Sequence, residues 1–188
     1  QRHEIPDRRL ALMFACAHPA IDAALRAPLM LQALLGLDAA AIGSAFLVAP
    51  ATMGQRLVRA KARIRQAGIP FAVPSLADLP PRLGAVLDAI YACYAEGWTD
   101  PAGTDPQRRN LADEALWLSG LLASLLPDEP EALGLLSLML HSHARRHARR
   151  DDTGRYVPLA EQDTALCDHA MIRQAERLLH RPSALALG

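Results

Sequence analysis

Seven residues between positions 52 and 65 carry the most specific chemistry in this 188-residue sequence. Arg56, Arg59 and Arg63 are spaced three and four apart, with Thr52 a turn earlier and Gln55 beside them. On a helix at roughly 100° per residue, Thr52, Arg56, Arg59 and Arg63 share an arc of about 60°. A guanidinium can donate two hydrogen bonds to the guanine edge, and a glutamine amide pairs likewise with adenine, so such a face suits a DNA groove about 12 Å wide. Gln55, Arg56 and Arg59 are expected at base edges, and Thr52, Lys61 and Arg63 at phosphates, which hold register and make binding salt-dependent. Lys61 and Arg65 flank the far side of the helix. The backbone amides that open it at Ala51 and Thr52 suit a phosphate as well. A solvated arginine face of an ordinary amphipathic helix is the competing reading of the same residues.

Two other clusters invite chemistry and deliver less. His141, His143, Arg145, Arg146, His147, Arg149 and Arg150 form a dense run. His143 and His147 are four apart, as helical metal ligands are, but no third ligand stands at a fitting spacing. A cationic helix C-terminus favoured by the helix dipole accounts for the run. Asp151, Asp152, Glu161 and Asp163 are available to pair with its arginines, and a protein partner is a further use for it. Glu96, Asp113 and Glu114 lack both a nucleophile–base spacing and a phosphate-cradling glycine loop. Neither an enzyme nor a metal or other cofactor is expected. Tyr91, Tyr94, Trp98 and Trp117 read as core anchors.

The elements that must position the cationic face are short helices. Asp7 is set to cap a helix to about Ala17, ended by His18-Pro19. Asp22 opens a second helix that Gly36 ends. Pro28 inside it implies either a true start near Ala27 or a kink. Asp38 caps a short helix over 39–46, a tight turn follows, and Pro50 sits at the first position of a long helix to about Gln66. Met53, Leu57, Ala60 and Ile64 form its apolar stripe, to pack on Ile42 and Phe46 of the preceding helix. Residues 71–81 hold three prolines and read as a linker. Further helices are expected at about 81–95, 105–126, 129–146 and 159–179, with Asp78, Asp105 and Asp128 as caps near three of the starts. Asp151-Asp152-Thr153-Gly154 signals a turn, and residues 155–158 a short extended piece. The C-terminal residues 182–188 read as frayed or as the start of another helix.

Composition agrees with an all-α chain: Ala and Leu dominate, aromatics make up 4%, and Pro is frequent at 14 residues. Formal net charge is zero, yet residues 1–70 sum to +5 and residues 71–188 to −5. A basic half beside an acidic half fits a nucleic-acid face on the first. Cys16, Cys93 and Cys167 form no CxxC pair and leave one thiol over in any disulfide scheme, which fits reduced thiols in a cytoplasmic protein. No apolar run approaches the ~20 residues that span a bilayer, so no membrane partner is expected. The N-terminus has no signal-peptide core and no initiator Met, as expected of a piece of something longer.

Residues 37–70 resemble region 4 of bacterial extracytoplasmic-function sigma factors, the promoter-recognition subunits of RNA polymerase. The resemblance rests on Ala45-Phe46-Leu47-Val48, Ala51-Thr52-Met53, the run from Gln55 to Lys61, Ile64-Arg65 and Ala67-Gly68-Ile69-Pro70. One branch, whose members carry a long helical extension, is the nearest pattern. Leu83–Tyr94 with Glu96-Gly97-Trp98, Leu126-Pro127-Asp128-Glu129-Pro130-Glu131, Ala144-Arg145-Arg146, Asp152-Thr153-Gly154-Arg155 and Glu161-Gln162-Asp163 resemble that extension. Three positions depart from it: Ala49-Pro50 stands in place of the usual Pro-Glu, Pro28 falls in a helix interior, and Cys167 replaces a usual Trp. The resemblance implies a helix-turn-helix domain at 1–70 that recognises the promoter −35 element and contacts the RNA polymerase core, followed by a helical extension at 71–188. It also implies a preceding region 2, which this sequence does not include, so the chain would not initiate transcription alone. Two alternatives stand beside direct reading. The acidic extension could be an interaction module that masks the DNA helix or meets a regulatory protein. A helix-turn-helix repressor would instead require a symmetric dimer.

Overall fold

In the computed structural model the description covers residues 5, 7–69, 72–99 and 110–185, with side chains to residue 180. Eight α-helices are found among them: α1 (Arg8–Cys16), α2 (Ala23–Ala33), α3 (Ala39–Ala45), α4 (Pro50–Gln66), α5 (Pro80–Thr99), α6 (Leu111–Leu125), α7 (Pro130–Ala144) and α8 (His169–Leu185). The fold is all-α, and the one β feature among the described residues is an isolated antiparallel bridge between Arg150 and Tyr156. The expected cap Asp105 lies outside the described residues.

Local chemistry accounts for the first four helix starts. The Asp7 carboxylate accepts from the amides of Arg9 and Leu10, Asp22 from Ala24, and Asp38 from Ala41. Each satisfies backbone donors that a helix start leaves open. Ala49 has no capping side chain, and Pro50 at the first turn of α4 supplies the fixed φ instead. Pro28 lies inside α2, which starts at Ala23 and not near Ala27. Its first turn is held by the Asp22 cap and by Leu25 N–H donating to the Asp22 carbonyl at 2.9 Å. Gly36 follows the helix at φ 69°, a left-handed conformation glycine adopts without penalty.

The chain divides into two compact units, residues 1–121 and 122–188. Helix α5, which follows the proline-rich stretch 71–81, lies in the first unit. In that unit α2 is the central helix, in contact with α1, α3, α4 and α5. Leu10, Met13, Phe14, Met30, Leu31, Ile42, Met53, Leu57 and Ile90 are fully buried there. Each such side chain contributes about 1.5–3 kcal/mol by leaving water. Arg82 of α5 is also buried and donates to the Phe14 carbonyl at the end of α1, at 3.0 Å. Cys93 and Leu111 meet where α6 begins, the thiol lying 3.5 Å from the carbonyl.

In the second unit α7 packs on α8. Ala132, Ala144 and Ala175 are fully buried, and Ser137 donates to the Ala175 carbonyl at 3.0 Å. The ends of these helices differ from two expectations. Helix α8 starts at His169, not at 159: residues Leu159–Glu161 and Thr164–Leu166 are separate 3-10 turns, with Gln162 and Cys167 extended. The Asp163 carboxylate accepts from Ala165, and that of Asp168 from Ala170 and Met171, so side chains compete for amides a continuous helix would use. Helix α7 begins at Pro130 with Glu129 as its cap, in place of Asp128, and ends at Ala144. The turn at residues 151–154 forms as expected: Gly154 takes φ 82°, and Asp151 accepts from the Thr153 and Arg155 amides.

Candidate nucleic-acid interface

Helices α3 and α4 pack together through a turn of four residues, Phe46 to Ala49. Val48 N–H donates to the Gly43 carbonyl at 2.8 Å, and Leu47 adopts φ 55° and is 95% exposed. A Cβ on Gly43 would stand 2.5 Å from the Val48 carbonyl oxygen, so only glycine permits so close a turn. Met53, Leu57 and Ala60 are buried, as the apolar stripe requires, while Ile64 is only half-buried.

The other face of α4 is open. Thr52, Gln55, Arg56, Arg59, Lys61, Arg63 and Arg65 are all exposed. Helix α4 contains no acidic residue, and among the described residues no carboxylate forms a salt bridge with its five cations. A polar contact on the face is internal: Arg59 donates from Nη2 to Gln55 Oε1 at 3.1 Å, an i,i+4 pair. Arg63 and Arg65 lie in the last turn, where the helix dipole favours cations. Helix α5 packs on α1, α2 and α3 rather than on α4.

Beside this face lies a feature the sequence did not disclose. A cleft of about 1030 Å³ opens between α4 and the start of α2. Ala20, Ile21, Ala24 and Leu25 line one side; Ala60, Ile64 and Ile69 line the other. Arg56, Arg59 and Arg63 also line it. The incomplete burial of Ile64 within an otherwise buried stripe is its trace in the sequence pattern, legible only once α2 is in place.

Helix α7 ends before His147, so the buried His143 and the exposed His147 share no helix face. Among the described residues no group of three potential ligands could hold a metal. Two arginines of that run reach backbone carbonyls, Arg146 donating to His143 O and Arg150 to Gly154 O, while Asp151 pairs with Arg155 at 3.1 Å. Hydrogen bonds from the Thr153 hydroxyl and the Arg155 amide hold the Asp151 carboxyl below its usual range. Glu114 forms an ion pair with Arg9, whose guanidinium carbon lies 4.7 Å from the ring centroid of Trp117. Tyr94 is buried and stacks on Trp98 at 5.6 Å, but Tyr91 and Trp117 are about half exposed, not core anchors. No helix among the described residues is long and apolar enough to cross a membrane.

Comparison with known proteins adds a family. The model described as "Family of unknown function (DUF6596)" matches residues 82–183. The chain is 42% identical over 175 residues to a protein of Rhizobium meliloti (strain 1021) described as "Uncharacterized protein R00370". The match takes in 93% of this chain and 41% of that relative, so the chain spans about two fifths of the relative's length. No solved structure matches the chain.

Proposed function

We propose, for a chain that belongs to this family of unknown function, that α3 and α4 form a DNA-reading helix-turn-helix of sigma region 4 type. Gln55, Arg56 and Arg59 read base edges in the major groove, and Thr52, Lys61 and Arg63 hold phosphates. In a longer protein of this kind the chain recognises a promoter −35 element and contacts the RNA polymerase core. The observation that carries the reading is the division of α4 into a buried stripe of Met53, Leu57 and Ala60 and an exposed cationic face. The first fixes the helix in its unit and the second leaves it free to enter a groove. Within the first unit α5 packs on α1, α2 and α3 and leaves this face uncovered, which supports direct reading.

The test is titration of the full chain with duplex DNA over a range of salt, with Arg59→Ala and Lys61→Ala in parallel. The logarithm of affinity should fall linearly with the logarithm of salt, by about 0.9 per phosphate neutralised. Arg59→Ala should cost about 1–3 kcal/mol on a selected sequence, and Lys61→Ala should weaken all sequences alike and reduce the salt slope by about one. Binding without a salt slope, or indifferent to Arg59→Ala, would sink the proposal.

A further inference from the structure

DNA reading uses the outward guanidinium groups of α4 but has no use for the apolar walls beside them. Ile21 and Leu25 on one wall and Ile64 and Ile69 on the other bound a cleft of about 1030 Å³ that also takes in Arg56, Arg59 and Arg63. The three arginines are three and four residues apart, so the row they form is about 10 Å long. A second helix laid along the cleft and carrying carboxylates at the same spacing would meet all three while its apolar stripe covers the isoleucines. Asp22 is the one acid on the lining, and its carboxylate is already engaged by the Ala24 amide at 3.0 Å. The local charge is therefore complementary to an anionic partner.

We propose that this cleft docks an acidic amphipathic helix of a partner protein, and that such a helix and duplex DNA exclude each other because both require Arg56, Arg59 and Arg63. The exclusion rests on the DNA-reading role of α4; the docking does not. A DNA duplex presents phosphates but no apolar stripe, whereas an acidic helix matches both halves of the site.

The probe is a synthetic helical peptide with leucines along one stripe and glutamates on the adjacent one, labelled for fluorescence anisotropy and titrated with the full chain. A peptide with lysines in place of the glutamates is the control. Ala24 is exposed on the apolar wall and lies in the first turn of α2, where a carboxylate suits the helix dipole, so Ala24→Glu should leave the fold intact. The acidic peptide should bind, weaken with salt, and lose about tenfold or more in affinity with Ala24→Glu, because an unpaired carboxylate on the apolar wall would be buried against its leucine stripe. Duplex DNA should displace it. Equal binding of the lysine peptide, or indifference to Ala24→Glu, overturns the docking site. A complex holding peptide and duplex together overturns the exclusion. Binding of duplex without peptide removes this proposal and leaves DNA reading intact; binding of peptide without duplex removes DNA reading and the exclusion and leaves the docking site.

Discussion

Gly43 is where one methyl group decides whether the helix-turn-helix closes. In an unobstructed helix interior, Gly→Ala stabilises by about 1 kcal/mol through helix propensity. At Gly43 the added Cβ would stand 2.5 Å from the Val48 carbonyl oxygen, a backbone atom that cannot rotate aside. Ordinary contact begins at 3.4 Å, so the turn must open by roughly 0.9 Å, the difference between the two distances. Opening it strains the 2.8 Å bond from Val48 N–H to the Gly43 carbonyl, worth about 1 kcal/mol. Overpacking adds about 1–3 kcal/mol, so the net effect of Gly43→Ala is a loss of about 1–3 kcal/mol. The melting temperature should fall by roughly 2–12 °C in a chain of this size. Gly84→Ala is the internal control: nothing lies within 4 Å of its Cβ position, and the same chemical change should raise stability by about 0.5–1 kcal/mol. Thermal unfolding followed by circular dichroism reads both. If Gly43→Ala melts at or above the parent temperature, or Gly84→Ala falls with it, the steric account of the turn is wrong.

Two further outcomes follow from buried and capping groups. Burial pushes the Cys16 thiol up to about 11 and the Cys93 thiol up to about 12, whereas Cys167 is half-exposed. A disulfide exchange reagent at about pH 8 should titrate one thiol quickly in the native chain and all three only after denaturation; fast reaction of a second native thiol would contradict the burial. Asp168 is held below its ordinary range, chiefly by the Met171 amide, so its stabilisation is present at neutral pH and is lost as pH falls through its folded value. The melting difference between the parent and Asp168→Asn should therefore be constant near neutrality and shrink below about pH 4; a difference unchanged into strong acid would refute the capping assignment.

What could be read from sequence follows the range of the forces involved. The caps at Asp7, Asp22 and Asp38 and the first-turn Pro50 are local, settled by residues two or three positions away, and each falls where expected. The two faces of α4 follow from a 3.6-residue period that needs no knowledge of the partner helices. Helix α8 starts ten residues beyond the expected 159 because the segment after Pro158 breaks into two 3-10 turns, with Gln162 and Cys167 extended, before Asp168 accepts from the first amides of the helix. The exposure of Tyr91 and Trp117 depends on which helices arrive opposite them. The cleft joins residues 20–25 to residues 56–69, a juxtaposition that exists only after α2 and α4 meet.

The bond from Arg82 to the Phe14 carbonyl has a consequence for how the protein can be dissected. A cut at the proline-rich stretch near residue 70 would look natural, since it isolates the helix-turn-helix, yet it would remove the guanidinium that closes the end of α1. It would also strip from α2 the apolar cover that α5 provides. A fragment able to present α4 on an intact support therefore has to include α5. Modularity here follows the first compact unit, which takes in the start of α6 as well: exchange of the reading helix between relatives should carry residues 1–121 as one cassette.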